Sequence, residues 1–154
     1  MQTAFRPVTG DDIELLLAWR ANPDVYEGLY EQSGPYEWER FWEWWQDLED
    51  VREWIVMVRE AEVWRDVGLV RLLELDTSLP EIGVYVGEVP LWGSGIGRDA
   101  VEFALDWLRE EGYESVRARI LTRNEASITL FERIGFTRVG DAREEEFDYR
   151  MSLD

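Results

Sequence analysis

The chain has 154 residues, 45% of them hydrophobic and 14% aromatic, enough to fill the core of one domain of ordinary size and too apolar for a disordered chain. It carries 34 acidic residues against 16 basic ones, a net charge of −18, which repels phosphate backbones and speaks against a nucleic-acid binder. Cys and His are both absent, so disulfides, thiol nucleophiles and imidazole bases are excluded, and no metal site is expected.

Phe5 to Val8 reads as a short opening strand. Thr9, followed by Asp11 and Asp12, starts a helix whose stripe is Ile13, Leu16 and Leu17, ending near Asn22-Pro23. After a turn-rich stretch through Gly28 and Ser33-Gly34-Pro35, a second helix runs from Glu37 to about Asp47. Trp38, Phe41, Trp42 and Trp45 share one face of it and read as core, with Trp44 just off the stripe. Trp44, Tyr26 and Tyr30 have two readings, surface packing or an aromatic acceptor pocket. Trp54 to Arg59 fits a strand buried on both faces, and Val67 to Leu75 a neighbour. Glu81 to Gly87 alternates, with Ile82, Val84 and Val86 on one side and Glu81, Gly83 and Tyr85 on the other.

A long helix begins after Gly97 with the stripe Ile96, Ala100, Phe103, Ala104, Trp107 and Leu108, and Gly112 closes it. Ser115 to Leu121 is again strand-like. Asn124 to Ile134 is a short helix ended by Gly135, and Val139 with Phe147, Tyr149 and Met151 suggests a final hairpin. Glu144-Glu145-Glu146 reads as a solvated turn. The order is that of an α/β fold around a mixed sheet.

No apolar run approaches the roughly 20 residues of a membrane span. The start, Met1-Gln2-Thr3-Ala4-Phe5-Arg6, lacks the pattern of a secretory leader. The expectation is one cytoplasmic domain over residues 1–154, with no membrane or nucleic-acid partner. All the basic residues are Arg. An acidic surface without Lys is similar to that of proteins from extreme halophiles. The other reading of the acidity is attraction of amine substrates, effective at low salt.

The segment Trp92-Gly93-Ser94-Gly95-Ile96-Gly97-Arg98 follows a strand and opens a helix. Glycines let backbone N–H groups approach an anion, and the helix N-terminus adds positive partial charge, so a diphosphate is the natural guest. The spacing is not that of a dinucleotide-binding turn, and no Gly-Lys-Ser/Thr follows as in a phosphate-binding loop of nucleotidases. Read alone, the turn is also compatible with a plain strand-to-helix connection.

The stretch Glu81-Ile82-Gly83 through Gly97 resembles the acetyl-CoA motif of the GNAT superfamily. Asn124-Glu125-Ala126-Ser127-Ile128-Thr129-Leu130-Phe131-Glu132-Arg133-Ile134-Gly135-Phe136 resembles its second motif. Asn124 with Ser127, and Trp92 where Arg or Gln is usual, are similar to the ribosomal-protein N-acetyltransferase branch. Trp19-Arg20-Ala21-Asn22-Pro23 and the Trp-rich second helix also resemble aminosugar N-acetyltransferases that act on nucleotide sugars. The resemblance implies a mixed, mostly antiparallel sheet of about six to seven strands flanked by about four helices, and acetyl-CoA as co-substrate.

It further implies that the amides of residues 93–98 (Gly93, Ser94, Gly95, Ile96, Gly97 and Arg98) hold the diphosphate, with Trp92 beside them and Arg98 supplying the charge that Trp92 lacks. Val86 would pair its backbone with pantetheine, and Asn124 and Ser127 would contact pantetheine near the thioester. Asn124 also reads as a plain helix cap and Ser127 as a first-turn residue. Glu81 matches a strand-start Glu that is a general base in some members, or is a solvated strand-end carboxylate. Phe131 stands where many members place the Tyr that protonates the thiolate, which leaves Tyr85 or a water for that role. The acceptor implied is a primary amine: a protein N-terminus first, then an aminosugar or small amine. A non-catalytic acyl-CoA binder is the reading from another class. The resemblance implies a monomer or homodimer.

Overall fold

A computed structural model of the chain describes residues 2–29 and 37–154. The expected Tyr30 and the turn Ser33-Gly34-Pro35 lie outside these residues. Seven strands form one sheet: β1 Gln2–Pro7, β2 Arg52–Glu60, β3 Val63–Leu73, β4 Glu81–Val86, β5 Ser115–Leu121, β6 Thr137–Arg138 and β7 Glu146–Ser152. Their order is β1-β2-β3-β4-β5-β7-β6, and every neighbouring pair is antiparallel except β4 with β5. The helices are α1 Ile13–Arg20, α2 Pro23–Tyr26, α3 Trp38–Gln46, α4 Ile96–Glu110 and α5 Glu125–Ile134. The mostly antiparallel α/β sheet expected from the sequence is present, with one helix more. That extra helix, α2, is a single turn nucleated by Pro23 at its first position and capped by the Asn22 side chain on the Asp24 N–H at 3.0 Å. No helix among the described residues is long and apolar enough to cross a membrane.

Strand alternation sends alternate side chains to two separate cores. Trp54, Val56 and Val58 of β2, Val70 and Leu72 of β3 and Ile82 of β4 pack under α4 and α5. Ile55 and Leu69 face the other way and meet Ile13, Leu16 and Trp19 of α1 and Phe41 of α3. A bulge between Val56 and Met57 inserts Val67 as an unpaired residue, which reverses the alternation and brings Val67 into the α4 core. β3 begins earlier than the apolar run indicates. Its first residues, Val63 to Arg65, form an exposed hairpin arm closed by Ala61 and Glu62, both at positive φ. An exposed arm needs no apolar pattern, so the sequence does not mark it.

The α3 stripe is less buried than expected. Phe41 is fully covered, but Trp38, at the first residue of the helix, is 43% exposed. Trp42 stacks on Trp45 with centroids 5.9 Å apart, and Trp38 lies tilted against Trp42 at 5.7 Å. Trp44 turns inward, against Phe41 at 5.5 Å.

Two local contacts tie α1 to the sheet. Gly87, just past β4, is buried because the Trp19 ring lies where its Cβ would be, 2.2 Å from an ideal position. At the start of α1, Asp12 accepts from the Thr9 N–H at 2.9 Å and from both Arg6 Nη atoms at 3.0 and 2.8 Å, while Arg6 also reaches Asp66 at 2.8 Å. Burial alone would raise the Asp12 carboxyl, but the Arg6 and Thr9 hydrogen bonds outweigh it and hold its pKa below the ordinary 3.8.

A folded pKa below the unfolded one stabilises the fold above pH 3.8, and that stability is lost as pH falls through the folded value. Asp12→Asn is therefore expected to lower stability at pH 7 by roughly 1–2 kcal/mol, the range of a charge-assisted hydrogen bond reduced for the half-exposed Arg6. The gap should close below pH 3.8. Urea melts at pH 7 and pH 3 test this, and a gap independent of pH would show that the charge on Asp12 is immaterial. Gly87→Ala is expected to cost about 1–3 kcal/mol through collision with Trp19.

Candidate active site

β4 and β5 run parallel but share a single register pair, Glu81 with Arg117. The Arg117 N–H also reaches the Pro80 carbonyl at 2.9 Å. Beyond that point the two strands part, and residues 82–86 and 118–121 face each other across a wedge. At its vertex lies Glu81, 1% exposed, whose Oε1 accepts from Arg119 Nε at 2.7 Å. A carboxylate this buried is retained only with a charged partner, and the pair joins the two strands side chain to side chain where their backbones stop pairing.

The wedge opens into a cleft of about 600 Å³ between the end of β4, the glycine turn and the N-terminal half of α5. Gly93 and Gly95 take φ of 82° and 89°, and a Cβ at either would meet nothing within 4 Å. They are glycine for the left-handed backbone, which carries the chain into α4. The N–H groups of the first turn of α4 have no intrahelical acceptor, and they end a 15-residue helix dipole. Gly97 differs: it lets α4 approach α5, its would-be Cβ 3.3 Å from Leu130. Ile96 is core, at 2% exposure. Ser94 turns its hydroxyl back onto the Leu91 carbonyl and contributes no side chain to the cleft wall.

Three arginines, Arg98, Arg123 and Arg133, line this cleft in a chain of charge −18. Arg98 pairs with Glu102 at 3.0 Å, and Arg123 donates to the Glu27 carbonyl at 3.0 Å. Trp92 is half exposed and donates its indole N–H to the Val86 carbonyl at 2.8 Å. Asn124 is the cap of α5: its Oδ1 accepts from the Ser127 N–H at 3.2 Å. Its Nδ2 donates to the Gly28 carbonyl at 3.2 Å, so both ends of the amide are engaged and the segment after α2 is held against α5.

A second, smaller recess of about 50 Å³ lies between the C-terminal end of α1, β3, β4 and β5. Arg20, Arg71, Glu81, Tyr85, Arg119 and Phe131 are among its walls. Tyr85, Val84, Asn124 and Ser127 belong to both spaces, so the recess and the cleft meet across them. Phe131 is 3% exposed and packs edge-on against Phe136 at 5.0 Å, offering no polar atom. The Tyr85 hydroxyl is buried without a hydrogen bond of ordinary geometry. Burial pushes its pKa up; the positive charge of Arg20 and Arg71 opposes this and Glu53 adds to it. Tyr85 therefore holds its proton through neutral pH.

The site thus gathers Glu81, Tyr85, Val86, Trp92, the glycine turn, Asn124, Ser127 and Phe131. Tyr26 lines neither space. Sequence reasoning missed Arg20 and Arg71, 1% and 5% exposed. Arg20 lies against the rings of Trp44, Tyr85 and Phe41 at 5.4, 5.4 and 5.7 Å, and Arg71 over Trp44 at 5.6 Å. A signal existed: Arg20 ends the apolar run Leu15 to Trp19, and Arg71 is the lone cation within Val67 to Leu73. Among the described residues no cluster of His, Cys, Asp and Glu could hold a metal.

A parallel strand pair that parts beside a glycine turn and a long helix N-terminus defines the class of acyltransferase folds that admit a ligand between strands. The chain belongs to the Acetyltransferase (GNAT) domain family, which matches residues 3–137. It is 44% identical over 149 residues, 97% of its length, to an uncharacterised protein of Methanocaldococcus jannaschii, and it spans 31% of that relative. The crystal structure of a domain from the same organism superimposes with a TM-score of 0.94 at 42% identity, covering 98% of each chain. The structure of spermidine N-acetyltransferase from Vibrio cholerae in complex with CoA and spermine gives a TM-score of 0.82 at 18% identity, over 99% of this chain and 96% of that one, a likeness of fold.

In a spectrophotometric titration, Tyr85→Phe is expected to leave the tyrosinate step near pH 10 unchanged and to remove amplitude only above it. Loss of amplitude from the ordinary step would show that the hydroxyl is hydrated.

Proposed function

We propose that the chain transfers the acetyl group of acetyl-CoA to a primary amine. The observation that carries this reading is the wedge between β4 and β5 opening onto the glycine turn at the α4 N-terminus. The residues present fit the co-substrate. First-turn amides and the α4 dipole suit a diphosphate, Arg98, Arg123 and Arg133 supply positive charge in an otherwise acidic chain, and the cleft walls include both Arg133 and Tyr85. Acetyl-CoA supplies an activated acyl group whose thiolate, with a pKa near 8.5, needs little help to leave.

This chain's residues then divide the work. The recess holds the acceptor beside the cleft, which makes a bimolecular encounter effectively unimolecular. Glu81, fixed by Arg119, takes the proton that the amine gives up, directly or through a water. Tyr85, kept protonated by burial, is an acid and not a base, and it donates to the departing sulfur in the place of the hydroxyl that Phe131 lacks. A C–N bond forms, a C–S bond breaks, the amine proton goes to Glu81 and the sulfur takes a proton from Tyr85; return of the Glu81 proton to Tyr85 through solvent restores both groups. The Val86 carbonyl becomes available to pantetheine when the Trp92 indole releases it. Acceptors bearing a primary amine include a protein N-terminus, an aminosugar and a small amine; the domain acts in monomer or homodimer, in the cytoplasm.

Calorimetric titration with acetyl-CoA and, separately, NADH, at low and molar salt, tests the reading. Micromolar binding of acetyl-CoA without NADH supports it, and no binding by the folded protein overturns it. Binding without acetyl transfer to any of a panel of amines would identify a non-catalytic acyl-CoA binder. Glu81→Gln, which preserves shape and an acceptor oxygen for Arg119, is expected to lower turnover about 100-fold while leaving acetyl-CoA affinity within about threefold. Unchanged turnover would remove Glu81 from proton transfer.

A further inference from the structure

The glycines in and beside the central strands differ in what forbids a side chain. At Gly68 of β3 an added Cβ would lie 2.5 Å from the Tyr85 carbonyl oxygen, and at Gly87 it would collide with the Trp19 ring. The fold itself requires glycine at both. Gly83 is different. It stands inside β4, opposite Arg71, and it is not among the glycines at positive φ. Among the described residues its added Cβ would meet only Arg71 Cγ and Nε, both at 3.6 Å, an ordinary van der Waals separation. Alanine fits the fold at this position and would favour it, because glycine in a strand loses more backbone entropy on folding and packs nothing. A strand glycine that the fold does not need marks a close approach by something else.

Strand alternation says where that approach is made. Glu81, Gly83 and Tyr85 share the face of β4 that lines the recess. Gly83 belongs to the recess alone, whereas Val84, Tyr85 and Val86 line the cleft. The recess is narrow, about 50 Å³, and a water-sized group needs about 10–15 Å³ of such space. A methyl projecting from residue 83 would take roughly the room of one such group, a large share of what the recess holds.

We infer that Gly83 is a specificity-determining residue for the acceptor: the side chain it lacks leaves the seat of the carbon that bears the reacting amine. The inference rests on the reading of the site as an N-acetyltransferase. Residues 81 and 85 lie two positions to either side, about 7 Å away along the strand. A carbon seated over residue 83 therefore has the carboxylate that takes the amine proton on one side and the hydroxyl near the departing sulfur on the other. The space of one missing methyl is the space of one substituent on that carbon. The acceptor class this fits is an amine on a branched carbon, as in a peptide α-amine or a ring amine of an aminosugar. A terminal CH2–NH2 group, as in a polyamine, is slimmer by that substituent and would pass an alanine.

The test replaces Gly83 by Ala and reads stability, donor binding and transfer separately. Gly83→Ala is expected to unfold at the same urea concentration as the unaltered chain or a higher one, and to bind acetyl-CoA with affinity within about twofold, because residue 83 does not line the cleft. Transfer is read as CoA release with two matched pairs: alaninamide against glycinamide, and glucosamine against ethanolamine, the first of each pair bearing its amine on a branched carbon. The unaltered chain is expected to prefer the branched member of at least one pair, and which pair tells a peptide amine from an aminosugar. Gly83→Ala should lower kcat/KM for that branched amine about 10-fold or more, the scale of one methyl in a fitted pocket, and for its unbranched partner no more than about threefold. A lower urea midpoint would show that the fold needs the glycine, and would overturn the inference. So would a preference for the unbranched amine in both pairs, an equal loss for both members, or no loss at all. Absence of acetyl-CoA binding, or of transfer to every amine, removes the acetyltransferase reading and this one together; binding and transfer with the wrong response to Gly83→Ala remove only this one.

Discussion

β4 and β5 meet at one residue pair and then separate, and the rest of the site depends on that separation. A sheet normally satisfies each backbone edge with the next strand. Here the edges beyond Glu81 and Arg117 are turned toward a cleft. The parting is held at its vertex by the Glu81–Arg119 pair, buried on the carboxylate side. The same glutamate is thus a hinge point of the sheet and, in the proposed reaction, the carboxylate that takes the proton. Its environment explains why one residue can serve both: Arg119 keeps it fixed in place, and the recess gives it a route to a ligand.

The two spaces on either side of β4 differ in what they offer. The cleft is shaped by backbone, with left-handed glycines, free first-turn amides and arginines at the mouth. The recess is shaped by side chains, with aromatic rings from α3 and β4 enclosing two cations. Tyr85 lies between them. Trp19 and Gly87 lock α1 to the end of β4, and Asn124 and Arg123 hold the segment after α2 to the start of α5. The elements that wall the recess are therefore tied directly to those that wall the cleft.

Much of the fold was legible because its signals are local. Ile82, Val84 and Val86 alternate with Glu81, Gly83 and Tyr85, Gly112 and Gly135 end helices, and Asn124 caps one. The glycine turn and the Asn124 motif marked the cleft for the same reason, since a backbone conformation has to be written into nearby residues. The recess was not legible. Arg20 and Arg71 are 51 positions apart in sequence numbering and meet only through Trp44 and the β3–β4 register, and no local pattern records a long-range meeting of cation and ring. The exposed Trp38 and the early start of β3 were missed because hydrophobic periodicity reports what could be buried, while packing decides how much is.

The cations of both spaces are arginines, and no side-chain amine stands anywhere in these 154 residues. A lysine close to a bound thioester is itself a nucleophile whenever it loses its proton, and its acetylation would erase the charge that held the donor. A guanidinium stays protonated at any physiological pH and does not compete for the acyl group. A site built this way can hold an activated acyl donor at rest without modifying its own walls. Its standing state is then stable against self-inactivation, and the first competent nucleophile it meets is the one delivered from outside.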